Sequence, residues 1–582
     1  MKKNEILFFS ILFTVSLVVS YPINFPDGKP KGGTEFFADK AAYYVYLPAT
    51  FIYKWDVKKF PEKIDERTRG FTLHYKSNRL IIKTTCGVAL MLTPFFIPTH
   101  LIAKLFSLQP DGFSEFYQLM MTLPGIFYLV LGLFFLRRFL AGYCKEWISY
   151  LAVFLLFAGT NLFFYSVDEG LMSHVYSFFL FSLALYMVRK MNNGQSASFK
   201  LWLLLCFVFS LAILIRPTNI FFMSILAFLD IKSLKEMIQR FRFCLMPKQS
   251  LSFLIIFILT WVPQMLYWHY LSGHYIYNSY PDEGFTNLAH PMIIPFWFAP
   301  LNGLFLYTPL ALFFIAGLIF MFIKRVPNAL FIFSLFTLLS SLFSSWLTWF
   351  FGGSFGCRPL VEYFALLSLP FAILLERIFA IKNLFSRSIL FVIIGLFSYY
   401  SLRMSVHYNC FEGSIWSWDD YKAYLSNAGI LHFPKKTYNY LNDFENNTLP
   451  DEVPRVFSPV HSRTLSTYLD STIEFGCKYA KRLDEILDHQ PLMATTSLWY
   501  RGYYPEKCGA FFVCSVDDTL GRNLFYKSVG FDNFAAKNDE WTEAGEVFHF
   551  PEWLPPHTKV SFYIWNPGRS RFYVDDISIK FE

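Results

Sequence analysis

The sequence predicts a mostly α-helical polytopic membrane protein of about eleven crossings, with a C-terminal all-β, jelly-roll-like domain outside. Three observations predict it. Hydrophobic residues make up 54% of the 582 and charged residues only 16%, where a soluble chain carries about 25% charge. Apolar runs of spanning length recur from residue 6 to residue 402. Beyond residue 409 those runs shorten and Asp, Asn, Gly and Pro return. A water-soluble fold has no means of hiding that much apolar surface. The formal charge of +8 is read as topology, not polyanion binding, because Lys and Arg of membrane proteins collect in cytoplasmic loops.

Taken in order, the first run covers residues 6–20 after Lys2 and Lys3 and reads as a signal-anchor with the N-terminus in the cytoplasm. The next runs are 116–136, ended by Arg137-Arg138; 147–166; and 176–188, ended by Arg189-Lys190. A tight pair, 201–215 and 217–229, precedes the basic stretch 232–248. Then follow 251–270, 304–323, 329–350, 360–375 and 389–402. Strict alternation puts each of those basic ends inside, as the positive-inside rule requires. One further stretch, 86–106, would reverse that order if it crossed. Interrupted by Pro94 and Pro98, it is expected to lie in the outer interface. The predicted organisation is a transmembrane domain over 1–405 with a first outer loop at 21–115, a linker over 406–460 and a β-sandwich over 461–582.

With that topology one side collects Asp39, Lys83, Asp168-Glu169, His174, Arg216, Asp282-Glu283 and Arg358. Carboxylates and guanidiniums at several helix ends on one side indicate a site for a charged substrate.

The residues that carry a resemblance lie on that side. The stretch A-D-K-A-A-Y-Y-V-Y-L-P-A over 38–49 opens the first outer loop. It resembles the same place in the GT-C superfamily of membrane glycosyltransferases. Lys83, followed by an apolar helix with Pro94, resembles the K-x-P-L helix of the lipid A aminoarabinose transferase and protein O-mannosyltransferase branches, in which that helix lies along the membrane. S-H-V-Y-S-F-F-L-F (173–181), I-R-P-T-N (215–219), D-E-G-F (282–285) and W-F-F-G-G-S-F-G-C-R (349–358) are similar to GT-C-like envelope proteins common in Bacteroidetes. The resemblance covers roughly residues 1–405. It implies inverting transfer of a sugar from a polyprenyl-phosphate donor to a glycan, lipid or protein acceptor on the outer face of the inner membrane. It also implies an acidic residue of the first loop as catalytic base.

That transfer needs a base for the acceptor's proton and cations for the phosphate as the glycosidic bond breaks. Asp39 is the candidate base; the competing reading is a helix-capping Asp. Lys83 and Arg358 are candidate phosphate ligands, one a compact charge and one a planar fork; the competing reading is snorkelling to headgroups. Arg216, turned by Pro217, is placed with them. Tyr43, Glu169, His174, Glu283 and Gly353 are candidate substrate-binding residues, and Gly352, Gly353 and Gly356 make the loop before Arg358 permissive. Where several relatives carry two adjacent acids, this chain has Asp39-Lys40, and its first loop holds no D-x-D. Metal-independent chemistry with no cofactor is therefore expected, with membrane lipids and the lipid-linked sugar as partners and no nucleic acid.

In the C-terminal region 509–516, 546–550, 559–565 and 571–580 read as sandwich strands. Residues 559–580 resemble the last hairpin of jelly-roll carbohydrate-binding-like domains, with Asn566-Pro567-Gly568 as its turn. Trp499, Trp541 and Trp553 are candidate sugar-stacking or core residues. Cys410, Cys477, Cys508 and Cys514 allow a disulfide in any of three connectivities, and Asn446-Asn447-Thr448 is a sequon. A flippase for a lipid-linked glycan and a non-catalytic envelope scaffold are the alternative functions.

Overall fold

The computed structural model describes residues 3–192, 198–280, 283–408, 417–431, 438–442, 444, 454–487, 491, 493–502, 509–534, 538–551, 554–555 and 557–581. Asp282, Cys410, Cys508, Trp553 and the sequon at 446–448 lie outside them. The chain is mostly helical and divides into two units, Met1–Ser414 and Ile415–Glu582.

Among the described residues five helices are long and apolar enough to cross a membrane: Lys3–Asn24, Gly87–Leu105, Glu115–Leu140, Pro247–Ser272 and Leu384–His407. Shorter apolar helices include Glu146–Gly159, Phe199–Ile215, Ala311–Ile323 and Ala329–Ser344. This set is compatible with a membrane protein. Several apolar runs of the sequence are not continuous helices. The run over 147–166 stops at Gly159, turns extended at Thr160 (φ −133°) and resumes as a π-turn at Phe164–Asp168. The run over 304–323 breaks at Thr308 (φ −133°) into Leu304–Tyr307 and Ala311–Ile323. The run over 360–375 starts as a single 3₁₀ turn, Arg358–Leu360, before the helix Phe364–Phe379. Irregular backbone inside apolar sequence persists only where protein groups satisfy it. Here it gathers at one end of the bundle.

The two ends differ in chemistry. At one, Glu5 is buried and accepts from Arg137 and from Arg138 Nε at 3.0 Å. Arg189 Nη1 donates to the Phe139 carbonyl at 2.8 Å, and Asp230 accepts from Tyr143 at 2.5 Å and from Asn328 at 2.8 Å. At the other end Ser20 and Asn24 donate to the Val167 carbonyl at 3.0 and 2.7 Å. The Gly87–Leu105 helix runs without a break through Pro94 and Pro98, where the sequence predicts an interruption, and it meets its neighbours at several points. Gln264 accepts from Cys86 N at 2.8 Å, Thr85 donates to Leu214 O at 2.5 Å, Tyr128 donates to Met91 O at 3.0 Å, and His100 meets Tyr117 at 2.6 Å. Preceding it is a short hairpin, β1 (Phe71–His74) and β2 (Arg79–Ile82).

The second unit is a two-sheet sandwich. Its strands are β3 (Tyr438–Asn442), β4 (Arg455–Val456), β5 (Ser466–Leu469), β6 (Phe475–Arg482), β7 (Met493–Gly502), β8 (Phe511–Asp517), β9 (Asn523–Gly530), β10 (Thr542–His549), β11 (Lys559–Trp565) and β12 (Phe572–Phe581). One sheet runs β10-β7-β12-β5-β4 with β3 also on β12, and the other β6-β11-β8-β9. In β7 alternate residues from Ala494 to Gly502 point inward, the period-two pattern of a strand with one buried face. Of these, Ala494, Leu498 and Tyr500 share a core with Phe512, Phe548, Phe562 and Phe581. The 406–460 stretch supplies β3 and β4.

The expected last hairpin is not a hairpin: β11 and β12 lie in different sheets. The turn between them crosses the sandwich because Asn566 is tied to the β5–β6 connection, its backbone N–H donating to Glu474 O at 2.7 Å and its amide to Asp470 O at 3.2 Å. Cys477 on β6 and Cys514 on β8 are both buried and free, and β11 runs between their strands. Burial pushes the Cys477 thiol up to about 12.

Candidate functional site

Asp39 opens a short helix, Asp39–Tyr44, whose N-cap is Ala38 (φ 48°) with no side-chain cap. Its carboxylate is therefore not spent on the helix terminus. It accepts from Arg358 Nη1 at 3.2 Å, with the Asp39 side chain 48% exposed and that of Arg358 only 19%. The turn at Ala38 is held from behind: Ala38 N donates to Thr68 O at 2.8 Å, and a methyl group on Gly70 would stand 2.2 Å from the Ala38 carbonyl oxygen. Only a glycine permits that approach.

Arg358 is aimed by the loop before it. Asn302 donates to Phe350 O at 2.9 Å and Gly352 O at 3.0 Å, Asn161 to Phe355 O at 3.1 Å, and Tyr408 to Ser354 O at 2.9 Å. Tyr165 accepts from Phe355 N at 3.1 Å. Gly352 (φ 69°) and Gly356 (φ 64°) take the left-handed turns this path requires. Gly353 is exposed, so the loop is a pinned bracket for Arg358.

Arg216 follows the end of the Phe199–Ile215 helix. Pro217 stops the helix, and Asn219 folds back to donate to Ala212 O at 2.9 Å. The guanidinium Nη1 lies 3.0 Å from His174 Nδ1 and 3.3 Å from Glu362 Oε1, while Glu362 Oε2 is 2.9 Å from His174 Nδ1. Glu362 is fully buried. Tyr43 sits among these charges: burial raises its phenol pKa, Asp39 adds to the rise, and Arg216 and Arg358 oppose it. Tyr280 is raised in the same way by burial, then by Tyr43, Asp39 and Glu283. Lys83 pairs with Glu283, and its Nζ stands 4.7 Å from the Tyr280 ring centroid.

Glu169 belongs to an adjoining buried network instead. Lys40 bridges Glu35 at 2.9 Å and Glu169 at 3.1 Å, and Lys31 reaches Asp168 at 3.1 Å and Tyr408 O at 3.2 Å. Burial pushes Glu35 up to about 7 and Asp168 up to about 6, although Lys40 and Lys31 pull them down. A carboxyl raised by folding stabilises the fold fully below its unfolded value, 4.5 for Glu35, and loses that contribution as pH rises through about 7. Hydrogen exchange of the amides of 35–42 is therefore expected to be slowest near about pH 5 and to accelerate towards about pH 8 after correction for intrinsic rates. Glu35→Gln should flatten the profile. Protection that grows with pH would contradict the burial-dominated shift.

The structure thus brings together Asp39, Tyr43, His174, Arg216 and Arg358, with the Lys83–Glu283 pair joined to them through Tyr280. Sequence reasoning missed Glu362, Tyr280, Tyr165 and the lysines Lys31 and Lys40. A signal for Glu362 was present: it is a lone carboxylate inside the apolar run over 360–375. Among the described residues no three His, Cys, Asp or Glu side chains are grouped to hold a metal ion. In the second unit Trp499 is half-buried and one face is covered by His461, ring centroids 3.8 Å apart at 14°. Trp541 meets the same imidazole edge-on at 5.7 Å.

No family model and no curated protein matches the chain. Among solved structures it is similar to the CBM22-1 xylan-binding domain of Paenibacillus barcinonensis Xyn10C, at 12% identity and a TM-score of 0.18, over 24% of this chain and 92% of that one. A family 16 carbohydrate-binding module is similar at 15% identity and a TM-score of 0.17, over 22% and 88%.

Proposed function

We propose that the chain is a membrane glycosyltransferase that moves a sugar from a polyprenyl-phosphate donor to a hydroxyl of an envelope glycan, lipid or protein acceptor on the outer face of the inner membrane. The observation that carries this reading is the Asp39–Arg358 ion pair beside Tyr43, whose phenol also feels the Arg216 guanidinium: one partly exposed carboxylate held by one guanidinium, with a second near the same tyrosine. In the resting site Arg358 occupies Asp39. Donor phosphate oxygens compete for the guanidinium, and the released carboxylate accepts the acceptor's hydroxyl proton. The acceptor oxygen then bonds to the anomeric carbon from the face opposite the phosphate, the carbon–oxygen bond to phosphate breaks, and Arg358, Arg216 and Lys83 stabilise the leaving charge. A cleft of about 540 Å³ lined by Asp65, Arg69, Thr72, Lys83, Tyr277 and Ser279 has the size and mixed polarity for the acceptor. In this reading the Gly87–Leu105 helix, although long and apolar enough to cross, lies along the membrane instead.

The test is release of polyprenyl phosphate from a panel of polyprenyl-phosphate sugars by the purified, folded protein. Sugar-dependent release supports transfer. Translocation of the intact donor across liposomes without release would replace this reading with transport, and neither activity would leave an envelope scaffold.

A further inference from the structure

The segment between the Phe199–Ile215 and Pro247–Ser272 helices contains an amphipathic helix, Leu234–Leu245, with no buried residue. Ser233 caps it, accepting from Glu236 N at 3.2 Å. One flank is tied to the bundle: Arg240 donates to Leu229 O and pairs with Glu236 at 2.5 Å, and the Phe243 ring meets Trp202 at 5.4 Å. The other flank is mostly exposed. Leu234, Ile238 and Leu245 are 67%, 41% and 74% exposed, and Phe241, whose ring meets Phe228 edge-on at 6.1 Å, is exposed with them. Their spacing of four, three and four residues sets them in one stripe. Lys235 and Arg242 lie along one edge of that stripe, both exposed and, among the described residues, without an ion-pair partner. Lys232 and Lys248 flank the helix at its two ends and are exposed as well. At Met246 (ψ 139°) the chain turns directly into Pro247–Ser272, a helix long and apolar enough to cross a membrane.

We propose that Leu234–Leu245 is an interfacial helix that docks on an anionic phospholipid surface, with its apolar stripe among the acyl chains and Lys235 and Arg242 on headgroup phosphates. The inference rests on the membrane reading but not on sugar transfer. An apolar stripe edged by cations and joined by one corner to a long apolar helix fits a charged lipid surface in both shape and sign. A protein partner would cover the stripe without calling for the cationic edge.

The experiment places the full chain in lipid nanodiscs of phosphatidylcholine, with and without phosphatidylglycerol, and follows hydrogen exchange of 234–245. Exchange is expected to be about tenfold slower in the anionic discs, with the difference lost at high salt. In the K235E/R242E double variant the difference should vanish while exchange of Phe199–Ile215 stays as in wild type. Equal exchange in both lipids, or a difference that survives charge reversal, overturns the proposal. Failure of the chain to enter nanodiscs at all would overturn the membrane reading itself.

Discussion

Asp39→Asn is expected to insert and fold as the wild type does and to transfer sugar at least ~100-fold more slowly, the usual scale for removal of a general base. The substitution keeps the size of the side chain and leaves an oxygen to accept from Arg358 at the site of the present 3.2 Å contact. What it removes is basicity. Since Ala38 and not Asp39 caps the helix, little stability is at stake, and circular dichroism and thermal melting should be unchanged. Retention of near-normal turnover would move the base elsewhere. Glu283 stands next in line, because it lies beside Lys83 at the same site; Glu169 is held instead by Lys40.

Arg358→Ala is expected to cost about 100- to 1,000-fold in turnover, the scale for losing one preorganised charge-stabilising donor. Arg358→Lys should fall between wild type and Arg358→Ala, keeping the charge but losing the planar fork. Lys83→Ala should resemble Arg358→Ala, and the double variant should lose less than the sum if both cations act on one phosphate. Rates and donor affinity measured across the four variants decide the matter. Full activity in Arg358→Ala would reduce the loop to a turn, and strictly additive losses would give the two cations separate tasks.

The general architecture was legible in the sequence because apolar run length and strand alternation are local properties. The C-terminal strands show this: 559–565 was read from its β-branched and aromatic residues and is strand β11 with the same bounds. Pairing is not local. The same reasoning joined β11 to β12 through a turn whose residues favour a hairpin, whereas Asn566 sends the chain to the other sheet by bonds to residues almost a hundred positions earlier. Helix continuity failed for a different reason, because run length was read without its breakers. The apolar run over 304–323 carries Pro309, which disfavours helical backbone at Thr308 before it, and the helix breaks there. At the candidate site, charged residues stranded near apolar runs announced themselves, so Asp39, Arg216 and Arg358, which the structure brings near one another, were singled out. Lys31, Lys40 and Glu35 were not, because in a polar loop a buried ion pair looks the same as a solvated one.

The bracket around Arg358 draws on four side chains from three separate segments, at residues 161 and 165, 302, and 408. A guanidinium positioned that way samples the registration of every segment at once, and displacements near 1 Å matter to reacting groups. Turnover then becomes the most sensitive gauge of the whole bundle's order. Lipid thinning, mild detergent or a distant cavity should silence the protein well before it melts.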